Sequence, residues 1–161
     1  MLLLRPTDSD MLEAKRRSSA MGILPSSRSK GQGNIIGLLA EAMVLQYCGG
    51  ILIDDYGADI LIDGLRIDVK TKSCSTPPKA HYLCSVMQYQ LHHECDGYIF
   101  ARANLTTKEV WLLGFITKDR FLAESIPFAK GDLDGDFAVK EDCRSIAIFD
   151  LDEIPTKSGK E

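Results

Sequence analysis

No apolar run in this 161-residue chain approaches the ~20 residues that a membrane-spanning helix needs, so no membrane segment is expected. The opening Met1-Leu2-Leu3-Leu4-Arg5-Pro6 is too short and wrongly ordered for a secretion signal. The chain has five cysteines (48, 74, 84, 95 and 143) and no Cys-x-x-Cys pair. An odd, scattered set excludes a disulfide framework and reads as reduced, mostly buried thiols in a cytoplasmic protein. His92-His93-Glu94-Cys95 has no second ligand pair at zinc spacing. Gly31-Gln32-Gly33 precedes a helix but lacks the GxxxxGK[ST] pattern of a phosphate-cradling loop. Surplus positive charge is also missing. With 19 Lys and Arg against 23 Asp and Glu, the net charge is -4, which excludes a broad, nonspecific nucleic-acid coat.

A chain of this length with 45% hydrophobic residues can bury one ample core. Its first 33 residues are locally basic: Arg5, Lys15, Arg16, Arg17, Arg28 and Lys30 face only Asp8, Asp10 and Glu13. A helix is expected over 8–21, then a flexible loop through Pro25 to Gly33, whose Arg28 and Lys30 could grip phosphates or simply be solvated. Asn34 is a plausible N-cap for a helix running to about Tyr47, ended by Gly49-Gly50. Glu41 lies at the margin of that helix's apolar stripe of Ile35, Leu38, Leu39, Ala42 and Leu45. Strands are expected at 51–54, 97–102, 109–116 and 145–149, with a short helix over 117–124. The stretch 81–87 reads as extended, followed by a short helix over Gln88 to Glu94. Trp111 and Phe115 alternate onto one side and read as core. Gly131 to Asp136 has part of a calcium-loop pattern but no Gly at its sixth position, and Cys143 at its twelfth, so it reads as an acidic turn. Residues 34–150 form the expected main domain, and 151–161 a disordered tail.

The densest chemistry lies in Ala58-Asp59-Ile60-Leu61-Ile62-Asp63-Gly64-Leu65-Arg66-Ile67-Asp68-Val69-Lys70. Asp63-Gly64 is a strong two-residue hairpin signal. A turn there sets Ile62 opposite Leu65, Ile60 opposite Ile67 and Asp59 opposite Asp68, with Lys70 on the same face as the aspartates. The other face is entirely apolar. Two opposed carboxylates repel, and a hard divalent cation such as Mg²⁺ or Mn²⁺ would relieve them. Asp54 and Asp55, at the end of the preceding strand, are lesser candidates because they lack this register. Lys72, two residues beyond Lys70, could contact a phosphate.

Asp59 followed by Asp68-Val69-Lys70 resembles the PD-(D/E)xK nuclease signature, with Ala58 where the first Pro usually stands. The resemblance covers about residues 34 to 115. It implies an α/β, restriction-endonuclease-like fold with a mixed central sheet flanked by helices. It also implies metal-dependent hydrolysis of DNA, with Asp59, Asp68 and the Val69 carbonyl holding Mg²⁺, Glu41 completing the shell directly or through water, and Lys70 holding or deprotonating the attacking water. A Gln or Lys on the following helix often lies near such sites, and Gln88 or Gln90 fits that place. Three alternatives stay open: a Holliday-junction resolvase with the same chemistry, acting as a dimer, a non-catalytic nucleic-acid-binding or partner-binding module, and an RNA nuclease. Small enzymes of this kind often dimerise to cut two strands, but nothing in the sequence marks an interface.

Overall fold

Asp63 and Gly64 both take positive φ (47° and 84°), the backbone a two-residue hairpin turn requires. In the computed structural model, which describes residues 1–21 and 32–156, this turn joins the antiparallel strands Ala58–Ile62 and Leu65–Ser73. In chain order the first half contains β1 (Leu2–Leu4), α1 (Asp8–Met21), α2 (Gln32–Cys48), β2 (Ile51–Asp55), β3 (Ala58–Ile62) and β4 (Leu65–Ser73). The second half contains β5 (Leu83–Met87), a 3-10 turn (Gln88–Gln90), β6 (Gly97–Asn104), β7 (Glu109–Thr117) and α3 (Lys118–Glu124). It ends with β8 (Ile126–Phe128), β9 (Leu133–Asp134), β10 (Phe137–Ala138), β11 (Cys143–Ala147) and a 3-10 turn (Ile148–Asp150).

The main sheet has six strands in the order β1-β7-β6-β4-β3-β2. The β4–β6 pair is parallel and the other pairs are antiparallel, so the sheet is mixed and the class is α/β. A parallel pair needs a crossover, and residues 74–96 supply it by passing through β5, which belongs to a second sheet ordered β5-β11-β8.

Each face of the main sheet has its own core. On one face Ile60, Ile62, Ile67, Val69 and Ile99 pack under Leu38, Leu39, Met43 and Val44 of α2, and Met11 and Ala14 of α1 join from outside. This arrangement explains why α2 is apolar on most sides: it lies between the sheet and α1, and Glu41 is the only charged residue in its span. On the other face Tyr98, Phe100, Trp111 and Leu113 pack with Cys84, Val86, Ile146, Ile148 and Phe121. The cover there is the three-stranded sheet with the short α3, not the long helix that a sheet flanked by helices leads one to expect.

Most expected elements form within a few residues of their expected bounds. Trp111 and Phe115 do not share a side. The register slips between Phe100 and Ala101 of β6, so Gly114 and Leu112 of β7 face consecutive residues. The extra residue, Leu113, reverses the alternation, leaving Trp111 in one core and Phe115 against the other. The acidic turn at 131–136 lies within the β9–β10 hairpin, where Phe137 pairs with Asp134. β1 adds to the sheet edge by pairing Leu3 with Trp111, and α1 lies in the α2 layer, so 2–21 belong to the main structural unit. Arg5 pairs with Glu109, Arg16 with Glu13 and Arg17 with Glu41, so much of the amino-terminal basic charge has a local partner. All five cysteines are free thiols, four of them buried. Among the described residues no helix is long and apolar enough to cross a membrane.

Candidate active site on strands β3 and β4

The β3–β4 ladder runs through Ile62–Leu65, Leu61–Arg66 and Ile60–Ile67. One residue further on, the expected pairing of Asp59 with Asp68 is replaced by a different contact. The Val69 backbone N–H donates to Asp59 Oδ2 at 2.7 Å. A side-chain carboxylate thus takes a strand N–H that a neighbouring backbone carbonyl would otherwise receive, and this holds Asp59 in place beside Asp68.

Asp68 is buried, with a relative exposure of 5%. Lys70 Nζ lies 2.8 Å from Asp68 Oδ2. The approach is an ion-pair contact without hydrogen-bond alignment, so among the described residues the buried Asp68 Oδ2 has no hydrogen-bond partner. Burial and the neighbouring Asp68 carboxylate push Asp59 up to about 6; the Val69 N–H and the Lys70 ammonium oppose this only in part. Lys70 therefore supplies too little positive charge to offset burial and repulsion at Asp59, and the Asp59–Asp68–Lys70 cluster is suited to a further cation.

Neighbouring residues shape the same face. Tyr98 on β6 is the cross-strand partner of Asp68, and its buried hydroxyl also has no hydrogen-bond partner among the described residues. Burial and the Cys95 thiol beside it hold that hydroxyl well above the ordinary tyrosine range. His93 is held below the usual histidine range by burial and by Lys70. Its backbone carbonyl accepts from Lys118 Nζ at 2.6 Å. Gly57, at φ +96°, packs where a Cβ would lie 2.6 Å from the Glu94 nitrogen, which presses the 93–94 backbone onto the turn leading into Asp59. Sequence reasoning missed Tyr98, Cys95 and Lys118, because their approach depends on the parallel β4–β6 register, which no local signal specifies.

The remaining predicted residues are spread out. Glu41 lies on α2 with Oε2 3.5 Å from Arg17, both side chains mostly buried. α2 covers the Val69 face of β4, opposite the face that carries Asp68 and Lys70. Among the described residues no group of three or more His, Cys, Asp and Glu converges as a metal cage. Asp55 is engaged by Arg66 at 3.0 Å. Gln88 opens the 3-10 turn and is exposed, and its backbone N–H bonds Asp142 O. Lys72 donates to Ser85 Oγ at 2.9 Å and has Arg102 as its partner on β6. Arg28 and Lys30 fall outside the described residues.

No protein-family model matches this chain, and no curated protein matches it.

Proposed function

We propose that the protein is a metal-dependent nuclease of the restriction-endonuclease-like, PD-(D/E)xK kind that hydrolyses phosphodiester bonds in DNA. The observation carrying this reading is the Asp59–Asp68–Lys70 cluster: two neighbouring carboxyls, Asp59 with a raised proton affinity, and an Asp68 oxygen that is buried and lacks a hydrogen bond among the described residues. The donor set is all hard oxygen, the chemistry that Mg²⁺ or Mn²⁺ takes, with Asp59, Asp68 and the Val69 carbonyl as the holding groups. When bound, such an ion polarises the phosphate and lowers the pKa of a water.

The chain's own residues supply the rest. The Val69 N–H fixes Asp59, and Asp68 orients Lys70 through their ion pair. Lys70, 18% exposed on its side chain, can present its ammonium to an incoming water or phosphate oxygen from a largely dry site. Glu41, on α2 at the opposite face of β4, does not join this cluster and is paired with Arg17 instead. Its ion pair with Arg17 is the observation that favours the second reading, a binding module without catalysis.

The test is a gel cleavage assay on supercoiled plasmid, linear duplex, single-stranded DNA and a four-way junction, with Mg²⁺, Mn²⁺ or EDTA. Metal-dependent cutting that falls by at least ~100-fold in Asp68→Ala and Lys70→Ala is expected. Preference for the junction, with a dimer in solution, would specify a resolvase. Undiminished cutting by either variant would sink the mechanism, and no cutting by the wild type on any substrate would leave the binding module.

A further inference from the structure

A cavity of about 790 Å³ opens beside the carboxy-terminal ends of the parallel pair β4 and β6. Ligands of α/β sheets commonly sit outside the carboxyl ends of strands, and this volume is in the range of small-molecule sites. Arg102 projects into it from β6. Among the described residues its guanidinium makes one hydrogen bond, to Leu83 O at 3.3 Å, and lies 5.1 Å from the centre of the Tyr82 ring. Four of its five N–H donors thus remain for a ligand, on a fork already fixed in place. Lys72, its strand partner, adds a second cation next to it.

The cavity's other walls are aromatic and acidic. Phe137, on the β9–β10 hairpin, lines the cavity yet is 80% exposed, an arrangement that burial alone gives no reason to keep. Asp134 and Asp136 line the same side. A cation for a phosphate, two ring faces for a base and carboxylates able to accept from an exocyclic amino group together match one nucleotide. The cavity lies further along the strand that carries the candidate active site: Lys72, the strand partner of Arg102, follows Lys70 on the same face of β4, roughly 7 Å on.

We infer that this cavity binds one unpaired nucleotide of a DNA strand flanking the cleaved phosphate, with Arg102 on its phosphate and Tyr82 and Phe137 on its base. The inference rests on the nuclease reading for the word "cleaved", but the binding it predicts can be measured without cleavage.

The test is fluorescence anisotropy of labelled dC8 with the full chain in EDTA, for wild type, Phe137→Ala and Arg102→Gln, together with thermal melting. Phe137→Ala removes an exposed ring and keeps the fold, so it remains informative if Arg102→Gln melts early. Binding that weakens about tenfold or more in Phe137→Ala is expected. Wild-type affinity in Phe137→Ala, absence of dC8 binding to the wild type, or tighter binding of rC8 than dC8 would each overturn the assignment. Sensitivity to Phe137→Ala in a protein that cuts no substrate would uphold the cavity and refute the nuclease. Normal cutting with binding indifferent to Phe137 would do the reverse.

Discussion

Asp59 Oδ2 accepts the Val69 backbone N–H at 2.7 Å, and this bond fixes the β3 carboxylate in the neighbourhood of the β4 carboxylate of Asp68. The arrangement keeps like charges together where strand geometry would let them part, so it carries an energetic cost that experiments can read.

Asp59 provides the first reading. Its folded-state pKa is raised, to about 6 from an ordinary 3.8, first by burial and then by Asp68. Between these values the folded protein binds a proton that the unfolded chain does not, so stability without metal falls as pH rises through that window. Below it both states are protonated and the penalty vanishes. Asp59→Asn keeps an acceptor for the Val69 N–H and removes the charge. In EDTA at pH 7.5 it is expected to be more stable than wild type by about 1–3 kcal/mol, and the gap should close on acidification to pH 4. Urea denaturation at both pH values measures this; a variant less stable at pH 7.5 would contradict it.

Metal addition is the counterpart. Millimolar Mg²⁺ or Mn²⁺ should raise the wild-type melting temperature by about 2–4 °C, the response of a chain this long to roughly 1 kcal/mol. The rise should disappear in Asp68→Asn. An equal rise in the variant would place the ion elsewhere.

Glu41 and Arg17 allow a third test. Both are mostly buried, and their 3.5 Å ion pair links α1 to α2. A double-mutant cycle of Arg17→Met and Glu41→Gln in urea should give a coupling of about 0.5–1 kcal/mol. Glu41→Gln should leave cleavage within about twofold of wild type, because α2 lies on the face of β4 opposite Asp68 and Lys70. A reduction as deep as that of Asp68→Ala would mean direct contact with the reacting centre.

Much of this was legible from local pattern. Asp63-Gly64 fixed the hairpin because few other residues take positive φ in both turn positions, and from that turn the face shared by Asp68 and Lys70 follows by counting. The ladder's early end at Ile60–Ile67 was not legible, because strand splaying depends on what packs beyond it. Glu41 was readable as the lone charge of an apolar helix, but its partner Arg17 sits across a separate helix, and helix packing angles leave no trace in spacing. The small sheet β5-β11-β8 escaped for a related reason. Its β5–β11 pair joins residues about 60 apart in sequence, such as Ser85 with Ser145. The reversal of Trp111 against Phe115 came from a bulge marked only by Gly114. A Cβ there would meet Leu151 and Asp152, chain from the far end of the molecule.

The β1–β7 pairing has a consequence for how the molecule is made. Leu3 must wait for Trp111, more than a hundred residues downstream, before its backbone groups find partners. During synthesis at ~5–20 residues per second, this amounts to an interval of several seconds in which the leading strand has nowhere to dock. Closure of that sheet edge is therefore a late event on the ribosome. Until it occurs, the apolar row of β7 is open to any other chain with an unpaired strand.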